Sequence, residues 1–376
     1  MDDIRKAVFK SLHKLVVKVG TRILCNEDNT PSRERLDHLA GQISLLHDNG
    51  YAVVLVTSGA VGVGMGALGY TERPTRLPEK QACAAVGQIR LMHMYSESFA
   101  ARRKQVAQIL LSGEDFRDKS RFGNIQKTVG TLLAKGVIPI VNENDTITTE
   151  EIKVGDNDKL SADVAHFLEA DLLVILSDED GLYTGNPKSN ADAKRIAIVP
   201  RITAEILALA EGKPGSKVSV GGMRAKLLAI RQAAEAGTPA VLAGGHNPRL
   251  LELVRGESQG TLFLPNPAKI AGGKRWLAFV SKARGQLILD EGGARALSAG
   301  KSSLLPAGIR EVRGAFRPGD FVEICTLDGE VIGRGRTAYS AAEVNLIRGQ
   351  KSHRIPEILG RKGPDEVIHR DQLVIY

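Results

Sequence analysis

Leu15-Val16-Val17-Lys18-Val19-Gly20-Thr21 is an apolar, largely β-branched run that ends at a glycine, and similar runs recur as far as about residue 245. Several of these runs are continuously apolar rather than alternating, which is typical of strands buried on both faces. We predict strands over 15–19, 52–57, 106–111, 137–141, 172–176 and 240–243.

Helical patterns lie between the predicted strands, and several end at stop signals such as Asn49-Gly50 and Gly237. We predict helices over 33–48, 79–103, 124–135, 159–168, 202–210 and 223–236. Strands that alternate with helices predict an α/β fold, here a three-layer αβα sandwich with a mostly parallel sheet.

The chain is long enough for two domains, because its 376 residues exceed the size at which a single core usually stops growing. Prolines and glycines cluster after residue 264, and the pattern beyond them changes to short strands with many glycine turns. We predict a catalytic domain over 1–270, a linker over 271–280 and a small, mostly β domain over 281–376. Within the second domain we expect a hairpin over 321–333 and helices over 292–299 and 341–347.

The bulk composition is that of an ordinary soluble globular protein, with 43% hydrophobic and 25% charged residues. The net charge of +8 mildly favours anionic ligands. The sequence has no run of five or more like charges, which would be typical of a nucleic-acid-binding tail. Three distant cysteines without a CxxC motif argue against a disulfide framework and a zinc site, and favour a reducing cytoplasm. No apolar stretch approaches the length that spans a membrane, and the first residues do not resemble a signal peptide.

Two lysines stand at positions suited to hold phosphate. Lys18 interrupts a buried strand just before Gly20, where its amine could either extend to water or fix a positive charge at the sheet edge. Lys226 ends the run Val220-Gly221-Gly222-Met223-Arg224-Ala225-Lys226, which opens the helix predicted over 223–236. Helix N-termini favour anions, so two cations in this first turn indicate a bound anion, although a flexible loop before a solvated helix would also fit.

Ser58-Gly59-Ala60 follows the second predicted strand, and its small residues would let backbone N–H groups approach an anion closely. The neighbouring Gly64-Met65-Gly66-Ala67-Leu68-Gly69 is formally a GxGxxG motif. We reject a dinucleotide site, because these glycines lie too far past the strand and no strand ending in an acidic residue follows about 20 residues later.

Polar loops follow two further strands. Asn142, Asp145, Asp156, Asn157 and Asp158 could orient a small substrate and grip its ammonium group, although such residues are also common in ordinary turns. Ser177 and Asp178 end another buried strand and could contact a nucleotide or a metal-bound water. Since ligands bind beyond the carboxyl ends of parallel strands, the combination favours phosphoryl transfer to a small charged substrate.

These segments, in this order, resemble the amino-acid kinase family over essentially the whole chain, and Ile152-Lys153-Val154-Gly155-Asp156-Asn157-Asp158 is the most specific of them. The residues after 281, among them Asp290-Glu291-Gly292 and Ser302-Ser303-Leu304-Leu305-Pro306, resemble a PUA domain. One position departs from the family pattern, because Val220 stands where a threonine is usual.

The resemblance implies an ATP-dependent kinase of the γ-carboxylate of L-glutamate in proline biosynthesis, with Mg²⁺ held by the ATP phosphates and by no protein ligand. It implies that Lys18 and Lys226 are catalytic. Substrate would be bound by Ser58, Gly59, Ala60, Asn142, Asp145, Asp156, Asn157 and Asp158. ATP would be bound by Lys18, Ser177, Asp178, Val220, Gly221, Gly222, Met223, Arg224, Ala225 and Lys226.

The resemblance also implies proline as a feedback inhibitor, a glutamyl-phosphate reductase as a partner, a homo-oligomer and a cytoplasmic location without membrane contact. RNA binding is compatible with the PUA-like segment. Two alternatives stay open at this point. One is a kinase of the same fold acting on carbamate, an acylated amino acid, aspartate or UMP, and the other is an RNA-binding protein acting through residues 281–376.

Overall fold

A computed structural model describes residues 2–26, 30–116, 118–147, 156–187, 190, 192–210, 220–257, 259–265, 283–298 and 302–375. The chain divides into two compact units, Met1–Pro267 and Ala268–Tyr376. The linker predicted over 271–280 lies outside the described residues.

Eight strands of the described residues form the sheet of the first unit. They are β1 (Lys14–Val19), β2 (Ala52–Val56), β3 (Gln105–Leu111), β4 (Val137–Glu143), β5 (Leu172–Ser177), β6 (Ile198–Val199), β7 (Ala240–Gly244) and β8 (Thr261–Phe263). Their order is β3-β4-β2-β1-β5-β7-β8-β6, and every neighbouring pair is parallel except β7 with β8. The prediction of a mostly parallel sheet is therefore confirmed.

The helices of the first unit agree with the predicted pattern and add short elements to it. They are α1 (Asp2–Phe9), α2 (Thr21–Leu24), α3 (Arg33–Asp48), α4 (Ala60–Ala67), α5 (Leu77–Ala100), α6 (Lys119–Ala134), α7 (Asp156–Phe167), α8 (Ala204–Ala208), α9 (Val220–Glu235) and α10 (Leu250–Val254). α5 stops short of the predicted residue 103, where Arg103 adopts a left-handed φ of 56°. α1, α2, α4, α10, β6 and β8 were not predicted, because segments this short give little periodicity.

The sheet separates two helical layers. Val17, Val53 and Val174 share one core with residues of α3, α5 and α10. Because successive side chains alternate across a strand, Lys18 belongs to the opposite face, where α7 packs against β1 and α9 packs against α7. This alternation places Lys18 beside the first turn of α7.

Glycines allow α4 and α5 to approach closely. A Cβ atom on Gly64 would lie 1.8 Å from the backbone oxygen of Cys83, and one on Gly87 would lie 1.8 Å from the backbone oxygen of Ala60. In the described structure the glycines of the formal GxGxxG motif lie in and just after α4, and Gly64 contributes to helix packing.

We expect Gly87→Ala to lower the free energy of unfolding by about 1–3 kcal/mol, because overpacking forces the two helix backbones apart. Gly66→Ala is the matched control, since it lies in α4 and a Cβ there would meet nothing within 4 Å. Urea denaturation measures both variants. Equal stabilities for the two variants would contradict this account of the helix contact.

The second unit contains a five-stranded sheet of order β10-β9-β11-β12-β13. Its strands are β9 (Gly285–Leu289), β10 (Ile309–Gly314), β11 (Phe321–Cys325), β12 (Val331–Arg336) and β13 (Leu373–Ile375), and its helices are α11 (Glu291–Ser298), α12 (Ala341–Ile347) and α13 (Ile355–Leu359). The predicted hairpin is formed by β11 and β12, with Gly329 at a φ of 82° in the turn. Leu287, Ile324 and Tyr339 contribute to a separate small core. Across the described parts of both units, no helix is both long and apolar enough to cross a membrane.

Candidate active site

The candidate site lies at the carboxyl ends of four neighbouring strands, β4, β2, β1 and β5. Each of these strands delivers a predicted residue to this edge: Asn142 from β4, Ser58 after β2, Lys18 from β1 and Ser177 from β5. The first turn of α7 and the second turn of α9 lie at the same edge, as the contacts of Asp158 with Lys18 and Lys226 show; the sequence had placed Lys226 in the first turn, but α9 begins earlier, at Val220.

Lys18 and Lys226 share one carboxylate. Lys18 Nζ lies 2.5 Å from Asp158 Oδ1, and Lys226 Nζ lies 3.6 Å from Asp158 Oδ2. The Asp158 side chain is only 2% exposed, so the three charges interact with little screening by water. Two cations therefore converge on one point of the sheet edge, and they need one more negative charge to balance them.

The Lys18 ammonium is held under opposing influences. Burial lowers the pKa of Lys18 below its ordinary value, Asp158 raises it, and the positive charge of Lys226 lowers it further. The net direction is downward. An anion that arrived at this point would favour the charged lysine, so phosphate binding and protonation of Lys18 would reinforce each other.

Three of the predicted polar residues form one hydrogen-bonded cluster. Asn157 Nδ2 donates to Ser58 Oγ at 3.0 Å and to Asn142 Oδ1 at 3.2 Å. Asn157 Oδ1 is buried and accepts no hydrogen bond within the described residues. A buried acceptor without a donor is costly, and a substrate ammonium group would supply the donor.

Asp178 lies beyond β5 in a second polar group. Ser177 Oγ donates to Asp178 Oδ1 at 3.1 Å, and Arg22 Nη1 lies 3.1 Å from Asp178 Oδ2. Partial burial raises the pKa of Asp178, but hydrogen bonds from its own backbone amide, Ser177 and Arg22 outweigh burial and leave the pKa lowered. Asp178 is therefore a carboxylate at neutral pH.

The other predicted residues take these places. Gly59, at a φ of 108°, precedes the first residue of α4, Ala60, and Asp145 lies in the turn after β4. Asp156 begins α7, although its side chain lies outside the description, and residues 151–155 lie outside it entirely. The run Val220-Gly221-Gly222-Met223-Arg224-Ala225-Lys226 forms the start of α9. Within this N-terminal part of α9, Lys226 Nζ donates to the backbone oxygen of Gly222 at 3.3 Å.

Two residues at the site were not predicted. Arg22 is the second residue of the short helix α2, and nothing in the sequence singled it out. Gln88 lies on α5, where its Oε1 accepts a hydrogen bond from Asn142 Nδ2 at 2.8 Å. A signal for Gln88 existed, since it is a polar residue at helical spacing from the buried Ala84, Leu91 and Tyr95.

The described residues contain no group of three or more acidic, histidine or cysteine side chains arranged to hold a metal ion. Asp178, a single carboxylate paired with Arg22, could accept a hydrogen bond from a water on a metal ion that phosphate oxygens coordinate. A site with phosphate oxygens, water and one indirect carboxylate contact suits Mg²⁺, which keeps several of its waters and is commonly bound through substrate phosphates.

Comparisons with known proteins agree over both parts of the chain. The Amino acid kinase family matches residues 13–244, and the PUA domain matches residues 285–359. The chain is 44% identical over 373 residues to glutamate 5-kinase of Geobacter sulfurreducens, covering 99% of this chain and 100% of that protein. It is 47% identical over 363 residues to glutamate 5-kinase of Moorella thermoacetica, covering 96% of each chain.

A solved structure supports the fold alone. Carbamate kinase from Giardia lamblia bound to AMP-PNP superposes with a TM-score of 0.50 at 17% sequence identity. The match covers 68% of this chain and 99% of the other.

Proposed function

This chain belongs to the amino acid kinase family, and we propose that it transfers the γ-phosphoryl group of ATP to the side-chain carboxylate of L-glutamate. The reaction is the first step of proline biosynthesis. The observation that carries the proposal is the pair of lysines on Asp158. The neighbouring Asn157 has an Oδ1 atom without a hydrogen-bond donor among the described residues, and this atom is suited to an amino-acid ammonium group. The relatives that match nearly the full chain favour glutamate over other small acids.

The amino-acid end of the substrate finds complementary groups at the cluster of Ser58, Asn142 and Asn157. Asn157 Oδ1 would accept from the ammonium group. Ser58 Oγ already accepts from Asn157, which leaves the hydroxyl hydrogen of Ser58 to donate to a carboxylate. We propose that Gly59, Ala60 and Asp145 border the same pocket.

The attacking group needs no general base. A glutamate side chain has a reference pKa of about 4.3, so its carboxylate is already ionised at neutral pH. One carboxylate oxygen forms the new bond to the γ-phosphorus while the bond to the β–γ bridging oxygen breaks, and ADP leaves. The protein must bring two anions together and stabilise charge on the transferred group, which is the main contribution in phosphoryl transfer. We assign that role to Lys18 and Lys226.

On the nucleotide side, kinases of this family use ATP, and we propose that Ser177, Asp178 and the start of α9 bind it. Backbone N–H groups at this helix N-terminus favour phosphate. Val220 lacks the hydroxyl usual in the family, so backbone groups would make that contact. Mg²⁺, carried by the ATP phosphates, would neutralise part of the phosphate charge.

A substrate panel tests the proposal. ATP consumption is measured with glutamate, aspartate, carbamate, N-acetylglutamate and UMP, with hydroxylamine present to trap an acyl phosphate. We expect hydroxamate from glutamate alone. Activity with a different acid would contradict the substrate while retaining the kinase, and inactivity with all five would contradict the proposed reaction.

The remaining inferences stay predictions from the family resemblance. They are inhibition by proline, partnership with a glutamyl-phosphate reductase and assembly into a homo-oligomer. The PUA domain over 285–359 is compatible with RNA binding.

A further inference from the structure

Gln88 connects α5 to the amino-acid pocket, although it was not part of the predicted site. It is 8% exposed, and its Oε1 accepts from Asn142 Nδ2 at 2.8 Å. Asn142 Oδ1 in turn accepts from Asn157 Nδ2 at 3.2 Å, and Asn157 Nδ2 donates to Ser58 at 3.0 Å. We call this chain from Gln88 through Asn142 and Asn157 to Ser58 the amide relay.

The amide relay has a fixed direction. The backbone N–H of Glu143 donates to Asn142 Oδ1 at 2.9 Å, and a backbone N–H can only donate. The oxygen of Asn142 is therefore used by Glu143 and Asn157, and its amino group must find an acceptor on the other side. Gln88 supplies that acceptor, so each amide in the relay presents a defined end to its neighbour.

The direction of the amide relay determines which atom of the Asn157 amide, oxygen or nitrogen, faces the substrate. The amino group of Asn157 donates to both Ser58 and Asn142, so the oxygen of Asn157 remains to accept from the ligand. Without an acceptor at position 88, the amino group of Asn142, which is 1% exposed, would be buried without a partner. Rotation of the Asn142 amide would give that amino group an acceptor in Asn157, at the cost of the hydrogen bond from the Glu143 backbone N–H. The Asn157 amide would then rotate and present its own amino group to the ligand.

We propose that Gln88 is a positioning residue for amino-acid recognition, which orients Asn157 Oδ1 toward the substrate ammonium group through Asn142. The inference rests on the proposed function, because it assumes that the ligand at Asn157 is an amino acid. Gln88 acts on binding of the amino group, not on transfer of the phosphoryl group.

The test compares glutamate with glutarate, which has both carboxylates but no amino group, in the full-length protein. For Gln88→Met we expect KM for glutamate to rise on the order of 10- to 100-fold, the effect of removing one partner from a buried hydrogen bond. The inhibition constant of glutarate, KM for ATP and kcat should stay within about threefold. Gln88→Glu retains an acceptor for Asn142 and should restore most of the affinity for glutamate.

Ser98→Ala is the matched control, because it removes the hydrogen bond from the buried Ser98 hydroxyl on α5 to Asp37, away from the amide relay. It should lower thermal stability and leave KM for glutamate unchanged. An unchanged KM in Gln88→Met, or equal weakening of glutamate and glutarate, would overturn the role of Gln88. Equal loss in Gln88→Met and Gln88→Glu would also overturn it. A parent protein inactive with glutamate would instead contradict the proposed function, and this inference with it.

Discussion

Replacing Lys18 by methionine is expected to lower kcat by about 10³- to 10⁵-fold while the protein stays folded. A cation that neutralises charge on a transferring phosphoryl group contributes on that order in related sites. Methionine keeps the apolar stem of this side chain, which is 6% exposed, and removes only the ammonium group. Single-turnover and steady-state rates with saturating ATP and glutamate give the loss directly.

The Lys18 prediction has a matched control on the same face of the sheet. Lys159 follows Asp158 in the chain, but its side chain is 64% exposed and pairs with Asp163. Lys159→Met should keep kcat within about twofold of the parent, because the exposed ammonium group of Lys159 pairs with Asp163 rather than with Asp158. A Lys18→Met variant with near-normal kcat and normal thermal stability would remove Lys18 from the catalytic role.

The strands that position the site could be predicted because their patterns are strong. β1 and β5 are buried along almost their whole length, and runs of leucine, valine and isoleucine, broken only by Lys18 in β1, are typical of strands buried on both faces. Short elements carry less information. α4 has three glycines in eight residues, and it forms because α5 packs closely against it, a long-range contact that no local pattern contains.

In the candidate site, too, some features could be predicted from the sequence and others could not. Lys18, Ser58, Asn142 and Ser177 could be found because each stands where a predicted strand ends. The partner of Lys18 could not be derived, because Asp158 lies 140 positions further along the chain and reaches Lys18 only through sheet order. The sequence gives the charges of this site, whereas their pairing depends on the folded topology. Asp158 was expected to contact substrate. Because it lies between Lys18 and Lys226, we propose instead that it holds their two ammonium groups in place.

Asp158→Asn is expected to shift the basic limb of the kcat–pH profile to lower pH. Asp158 is the strongest influence that raises the pKa of Lys18 against burial, and removal of its charge leaves burial and Lys226 to lower that pKa further. Lys18 then loses its proton, and with it the charge needed for transfer, at a lower pH than in the parent. We expect kcat at neutral pH to fall at least 10²-fold.

The same change should destabilise the protein, and the loss should depend on pH. Removing one partner of a buried ion pair typically costs about 3–5 kcal/mol. Because the folded-state pKa of Lys18 lies below its ordinary value of 10.5, the unfolded chain binds more protons between those two values. Stability of Asp158→Asn should therefore rise with pH in that window, and the window should be wider than in the parent.

Asp163→Asn separates the loss of a buried carboxylate from the specific effect on Lys18. Asp163 lies on α7 with a side chain 3% exposed, and it pairs with Lys159 at 2.7 Å and not with Lys18. Urea denaturation between pH 6 and 9 should show destabilisation in both variants, whereas only Asp158→Asn should move the basic limb of the kcat–pH profile. If that limb stays in place in Asp158→Asn, the charge on Lys18 does not depend on Asp158, and the lysines must be held in their active state by the bound phosphates alone.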